Sequence, residues 1–100
     1  MEGHAVISHD VLASYAADAA LEVDGVHALV DGARRHKGVR VTEEEGSTSL
    51  EVHLTLAWGA VAPRVGGDVQ SRVAEYLART ARLGSVGVDV VVAGVETASG

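Results

Sequence analysis

The side chains best suited to bind a metal ion in this sequence are five histidines. A metal site built from neighbouring residues needs a spacing such as HExxH, or two ligands four residues apart on one helix face. None of the histidines has a second histidine or a well-placed carboxylate at such a spacing. We therefore expect no metal and no other cofactor, and we interpret all five as scattered surface or loop residues: His4, His9, His27, His36 and His53.

A glycine pair after an apolar strand is the nearest approach to a phosphate-binding loop. Gly66 and Gly67 are followed by Asp68, whereas such a loop continues with lysine and then serine or threonine. A carboxylate there would repel phosphate, and Pro63 places the glycines inside the first turns of a helix. We interpret the pair as a site of close packing or local flexibility. Arg64 is the one residue here that could still bind an anion.

The sequence contains no arrangement typical of a nucleophilic enzyme. It has no cysteine, and none of its serines lies in a G-x-S-x-G elbow. The segment Gly84-Ser85-Val86-Gly87 opens a strand and lacks the basic flanks of an RNA-binding G-x-x-G loop, so we interpret it as a turn. Asp24-Gly25 is typical of a helix C-cap. We therefore expect a protein that is not an enzyme and has no catalytic residues.

The composition is that of a single domain, residues 1–100 with a core of about 8–96. Hydrophobic residues make up 47% and aromatic residues only 3%, so the core must consist of valine, leucine and alanine. A net charge of −6 with a single lysine, Lys37, argues against nucleic-acid binding. The lack of cysteine favours a reducing compartment, by default the cytoplasm, and no segment predicts a signal peptide or direct membrane insertion.

Two segments have the periodicity of amphipathic helices. Residues 8–23 place apolar side chains on one face, with Ser8 or Asp10 as N-cap and Gly25 as a residue that tolerates positive φ at the end. Residues 63–82 repeat valine or leucine every four positions, and Pro63 suits a first helical turn. We predict a helix for each segment.

Period-two alternation predicts three strands, besides a short apolar piece at residues 26–30. Residues 39–42 and 50–58 are joined by a polar turn and predict an antiparallel hairpin. Residues 86–95 carry apolar side chains on both faces, which predicts an interior strand. The terminal residues, 97–100, are expected to be disordered.

These elements predict an α+β fold of two layers, with a mixed β-sheet and two helices packed on one face. The mixed sheet follows because a helix connects the second strand of the hairpin to the last strand. Such a connection is a right-handed crossover that leaves the two strands parallel.

The last predicted strand carries the candidate interaction surface. If the helices cover one face of this strand, an apolar strip is left on the other face of the sheet. Such a strip, or an exposed sheet edge, often marks a partner surface, and we expect self-association there. The alternative, that the strip is too small to matter or is covered by the N-terminal segment, stays open. The strip consists of Val91, Ala93, Val95, Thr55 and Ala57.

Two charged runs lie on successive loops, a basic run at residues 34–37 and an acidic run at residues 43–45. Runs of this kind are usually solvated turns with a weak mutual attraction. The other interpretation is a pair of complementary patches that organise head-to-tail assembly.

Four motifs, taken in their order along the chain, resemble the alkaline shock protein family of small bacterial proteins. The sequence departs from the usual family pattern at Trp58, Ala62, Arg64 and the glycine pair. The motifs are the turn Glu22-Val23-Asp24-Gly25-Val26, the aromatic-Gly-x-x-x-Pro corner from Trp58 to Pro63, the pair Val69-Gln70, and the V-x-V-x-V-x-G-V strand from Val88 to Val95.

The resemblance implies a non-enzymatic cytoplasmic protein of the cell-envelope stress response or envelope homeostasis. It implies a homo-oligomer that is held at the membrane by a protein partner, such as a membrane anchor protein, rather than by its own helix. The alternative function is a small-ligand or anion-binding domain that uses Arg64 and the backbone amides at the start of the second helix.

Overall fold

The computed structural model describes residues 8–83 and 85–96, so His4, Gly84 and the predicted disorder at residues 97–100 lie outside it. The first element is helix α1 (His9–Leu21). The side-chain oxygen of Ser8 caps this helix by accepting a hydrogen bond from the amide of Val11 at 3.1 Å. Gly25, with φ of 98°, forms the turn that follows.

Strand β3 (Ser47–Ala57) is the centre of a four-stranded sheet. Strands β1 (Val26–Leu29) and β2 (Val39–Glu44) pair antiparallel with β3. Helix α2 (Ala62–Thr80) then connects β3 to β4 (Val86–Glu96), which pairs parallel with β3. The predicted hairpin, the parallel pair and the mixed sheet are thereby confirmed, and the short apolar piece at residues 26–30 contributes a fourth strand.

The registers place β1 and β2 on the same edge of β3. Strand β2 pairs with residues 47–52 of β3, and β1 pairs with residues 54–56. Strand β4 pairs with residues 48–57 and therefore overlaps both, so it must use the opposite edge. Between β1 and β2, the backbone N–H of His53 donates to the carbonyl of Gly38 and its carbonyl accepts from the amide of Val30. The edge of β3 is thus bonded continuously across the junction.

Both helices pack on one face of the sheet, as predicted. Alternate residues of β3, from Leu50 to Leu56, are at most 3% exposed and join the buried faces of α1 and α2 in one hydrophobic cluster. The rings of Tyr15 and Tyr76 meet edge to face between the helices, with centroids 5.9 Å apart. The fold is a two-layer α+β domain with a core of alanine, valine and leucine.

Among the described residues, strand β4 lies at an edge of the sheet, which contradicts the prediction of an interior strand. Within the described residues, β4 pairs with β3 alone. Apolar residues on both faces of the strand indicated burial on both sides, but a register irregularity contributes to that pattern. Leu54 lies beside Val92, whereas Thr55 lies beside Gly94, so the strand has one extra residue at this point.

The extra residue changes which side chains share a face, because residues that pair side by side project to the same side of a sheet. Val91 lies beside His53, on the face away from the helices. Val95 lies beside the core residue Leu56 and is therefore on the helix side. The placement of Val95 in a strip with Val91 is thus wrong, because the bulge reverses the alternation.

Candidate interaction surface

The four histidines that the structure describes lie on separate elements of the fold. His9 lies at the start of α1, with its Nε2 atom 3.3 Å from Glu43 Oε1, and both side chains are largely exposed. His27 is on β1, and His36 is in the loop before β2. Among residues 8–83 and 85–96, no group of three or more metal-binding side chains is placed to hold an ion.

A hydrogen-bonded polar cluster lies on the outer face of the sheet, around His53. The Nε2 atom of His53 donates to Glu51 Oε1 at 2.8 Å, and Arg35 Nη1 lies 3.5 Å from the same nitrogen. This hydrogen bond, chiefly, holds the pKa of Glu51 below its ordinary value, against an opposing effect of desolvation. The guanidinium of Arg35 also donates to the carbonyls of Val30 and Asp31. The cluster therefore anchors the loop after β1 to the sheet.

Arg64 lines a shallow recess of about 390 Å³ at the start of α2. Residue Val61, at the N-cap, makes no side-chain capping bond, a feature that favours an anion at this helix end. Two carboxylates, those of Asp24 and Asp68, line the same recess and oppose an anion. The geometry therefore brings the Arg64 side chain together with two acidic side chains rather than with further basic side chains that could bind an anion.

A second recess, of about 290 Å³, lies between the start of α1 and the basic run. Arg34, Arg35 and His36 line it together with His9 and Asp10, above a floor that includes buried alanine and valine. In the described part of the chain, no ion pair joins the basic run to the acidic run, since the pairs present link other residues. The head-to-tail interpretation of the two runs stays a prediction.

Close packing does not explain the glycine pair in α2. Side chains added at Gly66 and Gly67 would meet no atom within 4 Å outside their own stretch of helix, so that interpretation is wrong. Gly25 is different, because a Cβ atom there would lie 2.6 Å from Val65 Cγ2. A glycine that allows close packing is thus found in the turn after α1, but not in α2.

The predicted apolar strip is only partly available at the surface. Val91 is 38% exposed on the outer face, and Ala93 is exposed at the bulge. Thr55 is buried, with its hydroxyl 3.5 Å from the carbonyl of Ala28, and Ala57 is half-buried. Together with Val95 on the helix side, the five predicted residues are divided between two faces of the sheet.

Sequence reasoning missed three exposed apolar residues at the same end of the sheet. Val92 is 41% exposed although it is on the helix side, while Trp58 is 74% and Val61 60% exposed. The backbone N–H of Trp58 donates to the carbonyl of Glu96 at 3.0 Å, which places this corner beside the end of β4. The signal in the sequence was the lone tryptophan, Trp58, next to a glycine. The family motif accounts for an aromatic residue at this position but does not indicate that its side chain is exposed.

The fold and its surface define a class of protein, a small α+β domain with an apolar sheet edge that is unpaired among its described residues. A family model whose description reads "cell envelope-related function" matches residues 1–97. The model is that of the alkaline shock protein family, which the motifs of this sequence resemble, and the chain therefore belongs to that family. No curated protein matches the chain.

Solved structures with a similar fold include two single-residue variants of MamM-CTD. Each is 15% identical to this chain, with TM-scores of 0.58 and 0.59. The first match covers 85% of this chain and 99% of that chain, and the second covers 92% and 100%. At this identity the similarity shows the fold alone. None of the described helices is long and apolar enough to cross a membrane.

Proposed function

We propose that this chain is a non-catalytic interaction module of cell-envelope homeostasis or the envelope stress response. It acts by self-association and by binding a protein partner. The family description, which is cell-envelope-related, supports the cellular setting. The proposed location is the cytoplasm, or the membrane surface when that partner holds the chain there.

The observation that carries the proposal is the position of strand β4 at a sheet edge among the described residues, together with its exposed valines. β4 is an eleven-residue strand that uses one edge for β3, and it carries three exposed valines, Val91, Val92 and Val95. Proteins usually protect such an edge with lysine, proline or a covering element, because its free amides and carbonyls pair with other strands. The sequence of β4 has neither lysine nor proline. We infer that this strand mediates association with another chain.

Sedimentation velocity tests the proposal directly. The unaltered chain is expected to sediment as an oligomer at micromolar concentration, and Val91→Glu is expected to shift it toward the monomer because a carboxylate would be desolvated in the contact. Ala78→Glu is the matched control, since this residue is exposed on α2 and the change adds the same charge. A monomeric unaltered chain rejects the proposal, and an unchanged size for Val91→Glu rejects the part played by Val91.

The alternative is an anion-binding domain that uses Arg64. The free amides at the start of α2 support it, and the carboxylates of Asp24 and Asp68 in the same recess weigh against it. Thermal shift with a panel of phosphates and carboxylates distinguishes the two functions. Binding predicts stabilisation that grows with ligand concentration and is lost in Arg64→Ala, whereas an assembly module predicts none.

A further inference from the structure

Helix α2 covers only the first half of strand β4. The side-chain Nε2 of Gln70, in the middle of α2, donates to the carbonyl of Val88 at 2.9 Å, and Val86, Val88 and Val90 pack against the core. At its start, α2 lies elsewhere, because Val65 contacts Gly25 in the turn that precedes β1. The helix therefore crosses the sheet obliquely, from the β1 side toward the beginning of β4.

The second half of β4 is left uncovered on the helix side. Val92 and Val95 lie beside Leu54 and Leu56, which are at most 3% exposed, yet these two valines are 41% and 52% exposed. Val92 and Val95 thus differ in burial from the β3 residues beside them, because the helix layer covers those β3 residues but not this half of β4. We name Val92 and Val95 the β4 shelf.

Among the described residues, no strand pairs with the edge of the same half of β4 that faces away from β3. From residue 90 to residue 95 the strand has no charged side chain, and the flanking charges are the acids Asp89 and Glu96. The Gln70 side chain donates a hydrogen bond to the carbonyl of Val88, which restricts the pairing of another strand with the first half of β4. A strand that pairs here can therefore use the edge from residue 90 onward.

The charges and the shape favour a second copy of the chain in antiparallel orientation. Parallel, in-register pairing would place Asp89 beside Asp89 and Glu96 beside Glu96, an arrangement that destabilises a sheet. Antiparallel pairing about the point between Ala93 and Gly94 separates each acid from its counterpart. It also places Val92 of one copy beside Val95 of the other, so that paired residues project to the same face despite the bulge. A two-fold axis perpendicular to the sheet relates the copies, so both β4 shelves fall on the same face and meet each other.

We propose that residues 91–96 of β4 pair antiparallel with the same residues of a second copy, so that two four-stranded sheets form one continuous sheet. The inference rests on the proposed function, because it specifies the geometry of the self-association. Backbone hydrogen bonds supply the pairing, and the two β4 shelves bury each other's valines. The helices of both copies lie on one face of the combined sheet.

Single-cysteine cross-linking tests this geometry, and the chain suits it because it contains no cysteine. Four variants place one cysteine along the edge, and Ala78→Cys on the exposed face of α2 is the control. A disulfide needs Cα atoms within about 7 Å. With the axis between Ala93 and Gly94, residue 93 is displaced about 3 Å along the strand from its own counterpart, residues 92 and 95 about 10 Å, and residue 91 about 17 Å. The edge variants are Val91→Cys, Val92→Cys, Ala93→Cys and Val95→Cys.

We expect mild oxidation to give disulfide dimers for Ala93→Cys, the variant next to the axis, and we expect the other three edge variants to stay at the level of Ala78→Cys. Circular dichroism of each variant confirms that it is folded. Cross-linking at every edge position indicates parallel pairing and overturns the antiparallel geometry. An oligomer in sedimentation without any edge cross-link overturns this inference, because the copies then associate through another surface, and leaves the proposed function in place. A monomer in sedimentation rejects both.

Discussion

Replacing Gly66 and Gly67 with alanine should raise the stability of this domain. Both residues lie inside α2, past its first turn, and a Cβ atom at either would meet nothing within 4 Å outside the helix's own neighbouring backbone. Glycine in a helix interior costs about 0.8–1 kcal/mol relative to alanine, because the unfolded chain loses more backbone freedom on folding. No packing cost offsets this gain here.

The two substitutions together should add about 1.5 kcal/mol, allowing for incomplete additivity between neighbours. For a domain of this size, 1 kcal/mol corresponds to about 4–8 °C in Tm, so the double variant should melt roughly 6–12 °C higher. Thermal unfolding followed by circular dichroism at one fixed protein concentration measures the shift, since association would otherwise contribute to Tm.

Gly25→Ala is the matched control, because it makes the same chemical change where the structure has no room. The new methyl group would lie 2.6 Å from Val65 Cγ2, and φ of 98° is unfavourable for alanine. We expect a loss of about 1–3 kcal/mol. The reasoning is refuted if the double variant melts at or below the temperature of the unaltered chain, or if Gly25→Ala leaves Tm unchanged.

Two further outcomes test the core and the outer face of the sheet. Leu77→Ala removes a fully buried side chain of α2 and should cost about 2–5 kcal/mol in urea unfolding; a loss under about 1 kcal/mol would contradict the burial. His53→Ala should raise the pKa of Glu51 toward its ordinary value, because the hydrogen bond from His53 is the main cause of the lowered pKa. Since the pKa of Glu51 is lower folded than unfolded, its contribution to stability is present at neutral pH and is lost as pH falls through the acidic range. Carboxyl NMR titration measures the pKa, and an unchanged value in His53→Ala would disprove the assignment.

Much of the fold could be predicted because local patterns in this sequence agree with one another. Ser8 was predicted as a candidate N-cap and makes the capping bond, and Pro63 lies in the first turn of α2. The alternation in β3 and the apolar faces of the two helices predict three apolar surfaces that must be buried against one another. A sheet with both helices on one side buries all three.

The candidate surface was harder to predict, because it depends on a bulge and on the path of a helix. Alternation alone placed Val95 with Val91, but one extra residue in β4 moved Val95 to the helix side. Val92 lies on the helix side of the sheet, and the oblique path of α2 leaves it exposed. Neither the bulge in β4 nor the path of α2 can be recognised from the residue pattern of one strand.

The sequence by itself determined the element order, the valine-rich core, the mixed sheet and the family, because those follow from periodicity, caps and motifs that act over a few residues. Only the tertiary structure decided that β4 is an edge strand, where its register shifts and which of its valines remain exposed. The physical reason is that a strand's position in a sheet and its cover by a helix arise from contacts between distant segments. Apolar residues on both sides of a strand therefore fit burial in the interior and exposure at an edge used for association equally well.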